Sequence, residues 1–435
     1  MQPMGNDALD DFFLSNSMLE EILDIRNVQK AFKQVTANKG AGGIDGMQTD
    51  ELRDYLNTHW QTLRASILEG TYRPQAVKKV EIDKDNGCGK RMLGIPTVID
   101  RLITQSIAQW LSSQYEEDFS TYSYGFRESR STHQAVYQAQ TNLNDGYEWV
   151  VELDLDKFFD RVNHDKLMST LAKKITDKRT LKLLRGYLNC GIMENGVVIE
   201  RIEGTPQGSP LSPLLSNIVL NELDKELESR GHRHVRFADD CSIYVKSEKS
   251  ATRVLESTTE FIEKKLKLKV NRIKSRVSRP NDSTLLGFSF YRSEAGWQMR
   301  IAPKSLRKIK KKMKDQTQRK APGKVEDKIK KMEATIVGWV NYFRIAKAKT
   351  RMEELDSWVR MRLRMGLWKQ WKKPKTRQRN LKRLGISALN AMKWGGSSRG
   401  YCRIAHSAIL NRALNSNHSV LDTPKMNLRA ISFVF

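Results

Sequence analysis

The chain has 435 residues, 29% charged and 39% aliphatic or aromatic, which sets disorder aside and leaves room for two or three domains with their own cores. Its formal net charge of +26 is unevenly placed: residues 1–290 carry 40 Lys and Arg against 41 Asp and Glu, and residues 291–435 carry 36 against 9. A basic excess confined to the last third, interleaved with six of the nine Trp, points to a polyanionic partner, nucleic acid before any other.

Cys88, Cys190, Cys241 and Cys402 form no Cys-x-x-Cys pair, so a zinc ribbon and a disulfide framework are both unexpected and a reducing compartment fits. From Asn6 to Leu23 the acids Asp7, Asp10, Asp11 and Glu20 interrupt the apolar residues, unlike a signal peptide. The uncharged run Gly204 to Asn221 is broken by Pro206, Pro210 and Pro213 and does not read as a membrane span. A cytoplasmic protein with no membrane partner is the expectation.

Leu19 to Ala37 show helical spacing at Ile22, Ile25, Val28, Phe32 and Val35. Lys39-Gly40-Ala41-Gly42-Gly43-Ile44-Asp45-Gly46 then breaks it, either as a surface loop or as backbone that approaches a phosphodiester or template base. Strands follow, Val77, Val80 and Ile82 before a turn at Asp85-Asn86-Gly87 and Met92, Leu93 and Ile95 after it. Lys90 and Arg91 on the returning strand read either as a solvated face or as a grip on a triphosphate or template backbone. Asp100-Arg101 opens a long helix, and Arg127 and Arg130, at i and i+3 in Tyr124-Gly125-Phe126-Arg127-Glu128-Ser129-Arg130, project to one side of a helical start toward phosphate.

The stretch Val150 to Asp160 reads as a strand with Val151, Leu153 and Leu155 on one face and Glu152 and Asp154 on the other. A helix from His164 to Ile175 and strands around Ile192 to Ile202 lead to Gly204-Thr205-Pro206-Gln207-Gly208, where Gln207 is presented at the start of a helix bearing Leu215, Val219, Leu223 and Leu227. Arg236-Phe237-Ala238-Asp239-Asp240-Cys241 looks like a hairpin with two acids at its tip, a pair that is either solvated or holds a hard divalent cation. If this hairpin neighbours the first strand, Asp154 and Asp239 or Asp240 share a pair of metal ions, the requirement for two-metal displacement at phosphorus. Lys274, in the loop after the helix Val254 to Leu266, is a candidate partner for leaving pyrophosphate. Gly296 to Pro303 reads as a boundary, followed by three basic helices with apolar stripes and, at Pro374 to Arg383, a basic linker.

Tyr124-Gly125-Phe126-Arg127, Phe158-Phe159-Asp160, Thr205-Pro206-Gln207-Gly208 and Phe237-Ala238-Asp239-Asp240, in this order, resemble the reverse transcriptases encoded by bacterial group II introns. Gly338-Trp339-Val340-Asn341-Tyr342-Phe343 extends the likeness into the maturase region, and the chain looks most like the compact type without a C-terminal endonuclease module. The resemblance implies an α+β right-hand polymerase with N-terminal extension and fingers over 1–120, fingers and palm over 121–295, helical thumb/maturase over 296–375 and a basic DNA-binding domain over 376–435. It implies two Mg²⁺ ions, with Mn²⁺ as a substitute, on Asp154, Asp239 and Asp240, and on the Leu155 backbone carbonyl. Lys90, Arg91, Phe159 as steric gate, Gln207 and Lys274 are then expected at the nucleotide, and Lys39, Gly40, Arg127, Arg130, Phe237 and Ala238 at template and primer. Phe237 departs from the Tyr that many relatives carry, which removes a hydroxyl and keeps the ring. The partners implied are intron RNA as template, a DNA primer or target and dNTPs, with the chain a monomer or homodimer that also assists splicing and retrohoming. Two alternatives share the motifs: a catalytically idle splicing maturase, and a reverse transcriptase recruited by its host for DNA repair or phage defence.

Overall fold

A computed structural model of the chain describes residues 18–83, 89–194, 196–318 and 325–414. The Asp85-Asn86-Gly87 turn, Cys88, the N-terminal acids up to Asp11 and the last part of the C-terminal module lie outside these residues. Two compact units divide after Arg279.

In the first unit the N-terminal helical pattern breaks at Asp24, whose carboxylate caps a new helix, Ile25–Ala37, by accepting from the Arg26 N–H. Val28, Ala31 and Val35 of that helix pack with Val98 and Leu102 of the long helix Val98–Tyr115. Strands β1 (Val77–Asp83) and β2 (Lys90–Ile95) form the expected antiparallel hairpin. The sheet is completed in the order β2-β1-β4-β5, with β3 (Trp149–Leu153) belonging elsewhere and β4 (Ile192–Glu194) and β5 (Val197–Ile199) forming the short strand pair.

A second four-stranded sheet carries the acids. β6 (Arg233–Phe237), β7 (Asp240–Val245), β3 and β8 (Arg276–Ser278) lie in the order β6-β7-β3-β8, each pair antiparallel. Helices Thr132–Asn144, Ser212–Ser229 and Glu248–Lys264 pack on it. Val151, Leu153, Ile243 and Val245 join Leu215, Val219, Leu223 and Leu227 in one buried core. Since side chains alternate along a strand, burying Val151 and Leu153 sends Glu152 and Asp154 to the opposite face. Largely antiparallel sheets, with β1 and β4 the one parallel pair among the described strands, and helices packed against them give the α+β class.

Three local expectations need correction. The first motif strand stops at Leu153: Lys157 takes a left-handed φ of +50° and Phe158–Arg161 form one helical turn, so Asp154 stands at a strand end. No helix starts at Arg127; that segment is a series of turns, and the helix begins at Thr132 behind a Ser131 capping box. Pro374–Arg383 is a helix, with Pro at the first turn, where its missing N–H costs nothing, and Leu381 fully buried.

In the second unit β9 (Phe288–Ser293) and β10 (Gly296–Ile301) form a hairpin. Gly296 therefore opens a strand, whose Trp297, Met299 and Ile301 alternate inward. Helices Pro303–Gln316, Val325–Phe343 and Lys349–Gln370 pack on one another through the expected stripes, including Ile309, Met313, Ile336, Val340 and Leu363. Trp339 lies against Phe343 at 4.9 Å between ring centroids, a packing role rather than an open stacking platform. No helix among the described residues is long and apolar enough to cross a membrane.

Candidate active site

The register that sets Leu153 opposite Cys241 carries on one step to bring Asp154 beside Asp240. Phe237 faces Asp240 across a loop of only Ala238 and Asp239, so both adjacent acids are held at the rim of the same sheet as Asp154. Burial and the charge of Asp154 both raise the pKa of Asp239. Asp240 is pushed up to about 6, first by burial and then by Asp239 and Asp154, although its outer edge stays open to solvent.

Repulsion within the group is partly offset by two cations, Arg91 acting on Asp239 and Lys274 on all three acids. Lys274 Nζ lies 3.2 and 3.1 Å from the two carboxylate oxygens of Asp154. The same loop grips the Asp154 backbone, because Asn271 N–H donates to its carbonyl and Ser275 Oγ accepts from its N–H. With Asp154 turned to Lys274, no three His, Cys, Asp or Glu side chains among the described residues converge closely enough to hold a metal ion as they stand. The donor set nevertheless suits a hard divalent cation, being carboxylate oxygens whose ionisation is opposed by one another's charge. Leu155 buries its side chain, so only its backbone is left to face the site.

A cleft of about 480 Å³ is lined by Arg91, Phe159 and Gln207, with Asn38, Arg101 and Gln105, and Arg91, whose charge acts on Asp239, links it to the acids. The Pro-Gln-Gly turn is docked on β2 through the Gly94 N–H, which donates to the Gln207 carbonyl at 2.8 Å. Gly208 is required there, since a Cβ would lie 2.6 Å from the Gly94 carbonyl oxygen. The Gln207 side chain lies near Asp160, whose pKa is raised by burial against the pull of Arg201, Lys157, Arg161 and Gln207. Phe159 packs edge-on against Phe158 at 5.3 Å, and its carbonyl accepts the Thr205 N–H.

Other expected contacts separate from this group. Lys90, one residue from Arg91, is exposed and bonds Glu81 at 2.7 Å, away from the cleft lining, as alternation along β2 requires. Arg127 is buried at its side chain: it pairs with Glu116 and donates to the carbonyls of Ser120 and Ser123, so it locks its own loop and has no reach toward a template phosphate. Arg130 donates to the Thr121 carbonyl and lies over the Tyr124 ring. Lys39 is exposed with φ +45°, and Gly40 passes so close to Arg101 that a Cβ would sit 2.6 Å from Nη1. Phe237 is half-buried and Ala238 is buried. Sequence reasoning read Arg101 only as the start of a helix; it lines the cleft and ties the Gly-rich loop down by donating to the Ala41 carbonyl.

The chain matches known families and proteins along much of its length. Residues 82–290 match the reverse transcriptase (RNA-dependent DNA polymerase) family, and residues 306–385 match the group II intron maturase-specific domain. Relatives include protein YkfC of Escherichia coli (strain K12), 32% identical over 62% of this chain and 82% of that protein. The group II intron-encoded protein LtrA of Lactococcus lactis subsp. cremoris is 37% identical over 45% of this chain and 32% of LtrA. A 91 kDa protein in the cob intron of Schizosaccharomyces pombe is 38% identical over 43% of this chain and 22% of its own length. The chain thus spans most of YkfC and a third or less of the two intron proteins. Among solved structures, a partial Cas6-RT-Cas1--Cas2 complex matches 57% of this chain and 42% of that chain, at 24% identity and a TM-score of 0.37. The chain belongs to the group II intron reverse transcriptase/maturase family, in which an RNA-directed DNA polymerase is joined to a maturase domain.

Proposed function

We propose that the enzyme extends a DNA primer on a group II intron RNA template from the site formed by Asp154, Asp239 and Asp240, and that it binds the same RNA to assist splicing and retrohoming. The observation that supports this is the shared rim of β3 and the β6–β7 turn, which brings three acids together, with Arg91 of the cleft acting on Asp239. The three carboxylates and the Leu155 carbonyl would hold two Mg²⁺ ions, replaceable by Mn²⁺, which would supply the charge neutralisation that attacking and leaving oxygens need at phosphorus.

The remaining roles fall to the chain itself. Arg91 offers a planar, permanently charged donor to the dNTP triphosphate, and Gln207, on the same cleft wall, offers a polar contact to nucleotide or template. The Phe159 ring occupies the cleft wall where a ribose 2′-hydroxyl is to be excluded. Lys274 leaves Asp154 for the departing pyrophosphate. In the second unit the helix Pro303–Gln316 carries Lys304, Arg307, Lys308, Lys310, Lys311, Lys312 and Lys314, a charge density suited to phosphate contacts on duplex or intron RNA. The domains are proposed as fingers, palm, thumb/maturase and DNA-binding regions at 1–120, 121–295, 296–375 and 376–435, and the working location is the cytoplasm.

Primer extension on an RNA template with dNTPs and Mg²⁺ tests this reading. Wild-type chain is expected to synthesise cDNA, and Asp239→Ala to abolish synthesis while intron RNA binding persists. Failure of the wild type to copy RNA, or full activity in Asp239→Ala, overturns it.

A further inference from the structure

We propose that Arg236, Asp224 and Asn217 form a buried positioning device that sets the direction of the catalytic turn; the proposal deepens the polymerase reading and rests on it. None of the three touches nucleotide or primer. Each acts through the Ala238-Asp239 peptide.

The turn needs such support because its backbone is strained. Ala238 takes a φ of +58° at the first central position of a two-residue hairpin, where glycine is the usual occupant. A non-glycine residue there is strained and persists only where its surroundings over-determine it. Arg236 supplies that constraint. Its Nη1 donates to the Ala238 carbonyl and to Asn217 Oδ1, both at 2.9 Å. Its Nε and Nη2 hold the Asp224 carboxylate at 2.8, 3.0 and 2.6 Å. All three guanidinium nitrogens are engaged, and the Arg236 and Asp224 side chains are both 0% exposed.

The same network fixes the strand from the other side. Asn217 Nδ2 donates to the Gly125 carbonyl at 2.8 Å, and the Arg236 backbone exchanges hydrogen bonds with Tyr122 and Tyr124. Gly125 is pressed against the turn, where a Cβ would lie 2.3 Å from the Ala238 nitrogen. Burying an ion pair is a poor way to gain stability, since an apolar pair of similar volume is often at least as good. What an apolar pair lacks is the fork: a rigid, planar donor set that aims one carbonyl while its other arm is held still.

The test uses the full chain in three variants, Asn217→Ala, Asn217→Ser and Asp239→Asn. Mn²⁺ binding is read by electron paramagnetic resonance without nucleic acid, thermal melting reports the fold, and primer extension gives kcat and the dNTP KM. Asn217→Ala is expected to melt a few degrees lower, to lose about ten- to a hundredfold in Mn²⁺ affinity, as for lost support of a metal ligand, and to lose kcat with dNTP KM unchanged. Asn217→Ser, which leaves a smaller cavity, supplies the same comparison if the Ala variant does not fold. A lower melting temperature with wild-type Mn²⁺ affinity and kcat at a temperature below the transition reduces the network to fold maintenance and overturns the proposal. Asp239→Asn separates the two levels: if it still copies RNA, the polymerase assignment fails, whatever Asn217 does.

Discussion

Replacing Asp240 by Asn removes a charge whose ionisation is opposed by burial first, then by Asp239 and Asp154, so that its pKa stands near 6 against an ordinary 3.8. Between those values the unfolded chain has released the proton and the folded chain retains it. Folded stability from this group is therefore fully present below about 3.8 and is lost as the pH rises through about 6. A shift of roughly two units corresponds to about 3 kcal/mol. Asp240 is open to solvent on one side, and screening reduces the figure to about 1 kcal/mol. For a unit of this size that is about 2 °C in melting temperature. Thermal melts in a chelator at pH 7.5 are thus expected to place Asp240→Asn about 2 °C above wild type, with the gap narrowing toward pH 4.5. Added Mg²⁺ is expected to raise wild type more than the variant, because a cation relieves a repulsion the variant no longer has. A variant that melts below wild type at pH 7.5, or a gap that does not change with pH, refutes the argument that these carboxylates are held together against their own charge.

Arg91→Ala is expected to raise the dNTP KM about tenfold and Lys90→Ala to leave it within about twofold, since only Arg91 lines the cleft; steady-state extension assays read both. Arg127→Ala is expected to destabilise the chain by roughly 2–4 kcal/mol in urea titrations, because it strands the Ser120 and Ser123 carbonyls, with RNA affinity unchanged in folded protein. Asp224 is driven up by burial and brought down to about 2 mainly by Arg236. Its contribution is present above the unfolded pKa near 3.8 and is lost as the pH falls through about 2. Asp224→Asn is expected to cost about 3–5 kcal/mol at pH 7, with the deficit shrinking in acid, as read by pH-dependent denaturation.

The acids were legible in sequence because two simple signals coincide, period-two alternation up to Asp154 and a short turn flanked by β-favouring residues at Asp239-Asp240. The same alternation, applied to neighbours on β2, was enough to separate Arg91 from Lys90, yet the motif groups them. Arg127, read as a phosphate contact, misleads, and Arg236 gives no sign of its role. Both are basic residues inside nucleic-acid-binding motifs, but Glu116 and Asp224, the acids that claim them, lie 11 and 12 residues away, and no local pattern announces a pairing. Pro374–Arg383 was missed for a related reason, since its single buried anchor, Leu381, gives no stripe among so many charges. Gly125 carries no local signal of its role, because what excludes a Cβ there is the Ala238 nitrogen, more than a hundred positions along the chain.

Two cations serve the same acidic rim with different permanence, and burial decides which is which. The Lys274 ammonium reaches Asp154 from a side chain that is 65% exposed, and exposed pairs of this kind contribute about 0–1 kcal/mol, so competing cations or phosphates displace it readily. Arg236 is sealed beneath the turn, and separating it from Asp224 strands a buried charge at several times that cost. In the polymerase reading proposed above, a site that exchanges its positive partners at every nucleotide addition, yet keeps its carboxylates aimed, needs both kinds. The loop of Asn271 to Ser275 provides the replaceable contact above the acids, and the helix Ser212–Ser229 anchors the fixed one below. Exchanging the two, with a weak cation beneath and a buried one above, would leave the turn free to move and Asp154 permanently neutralised.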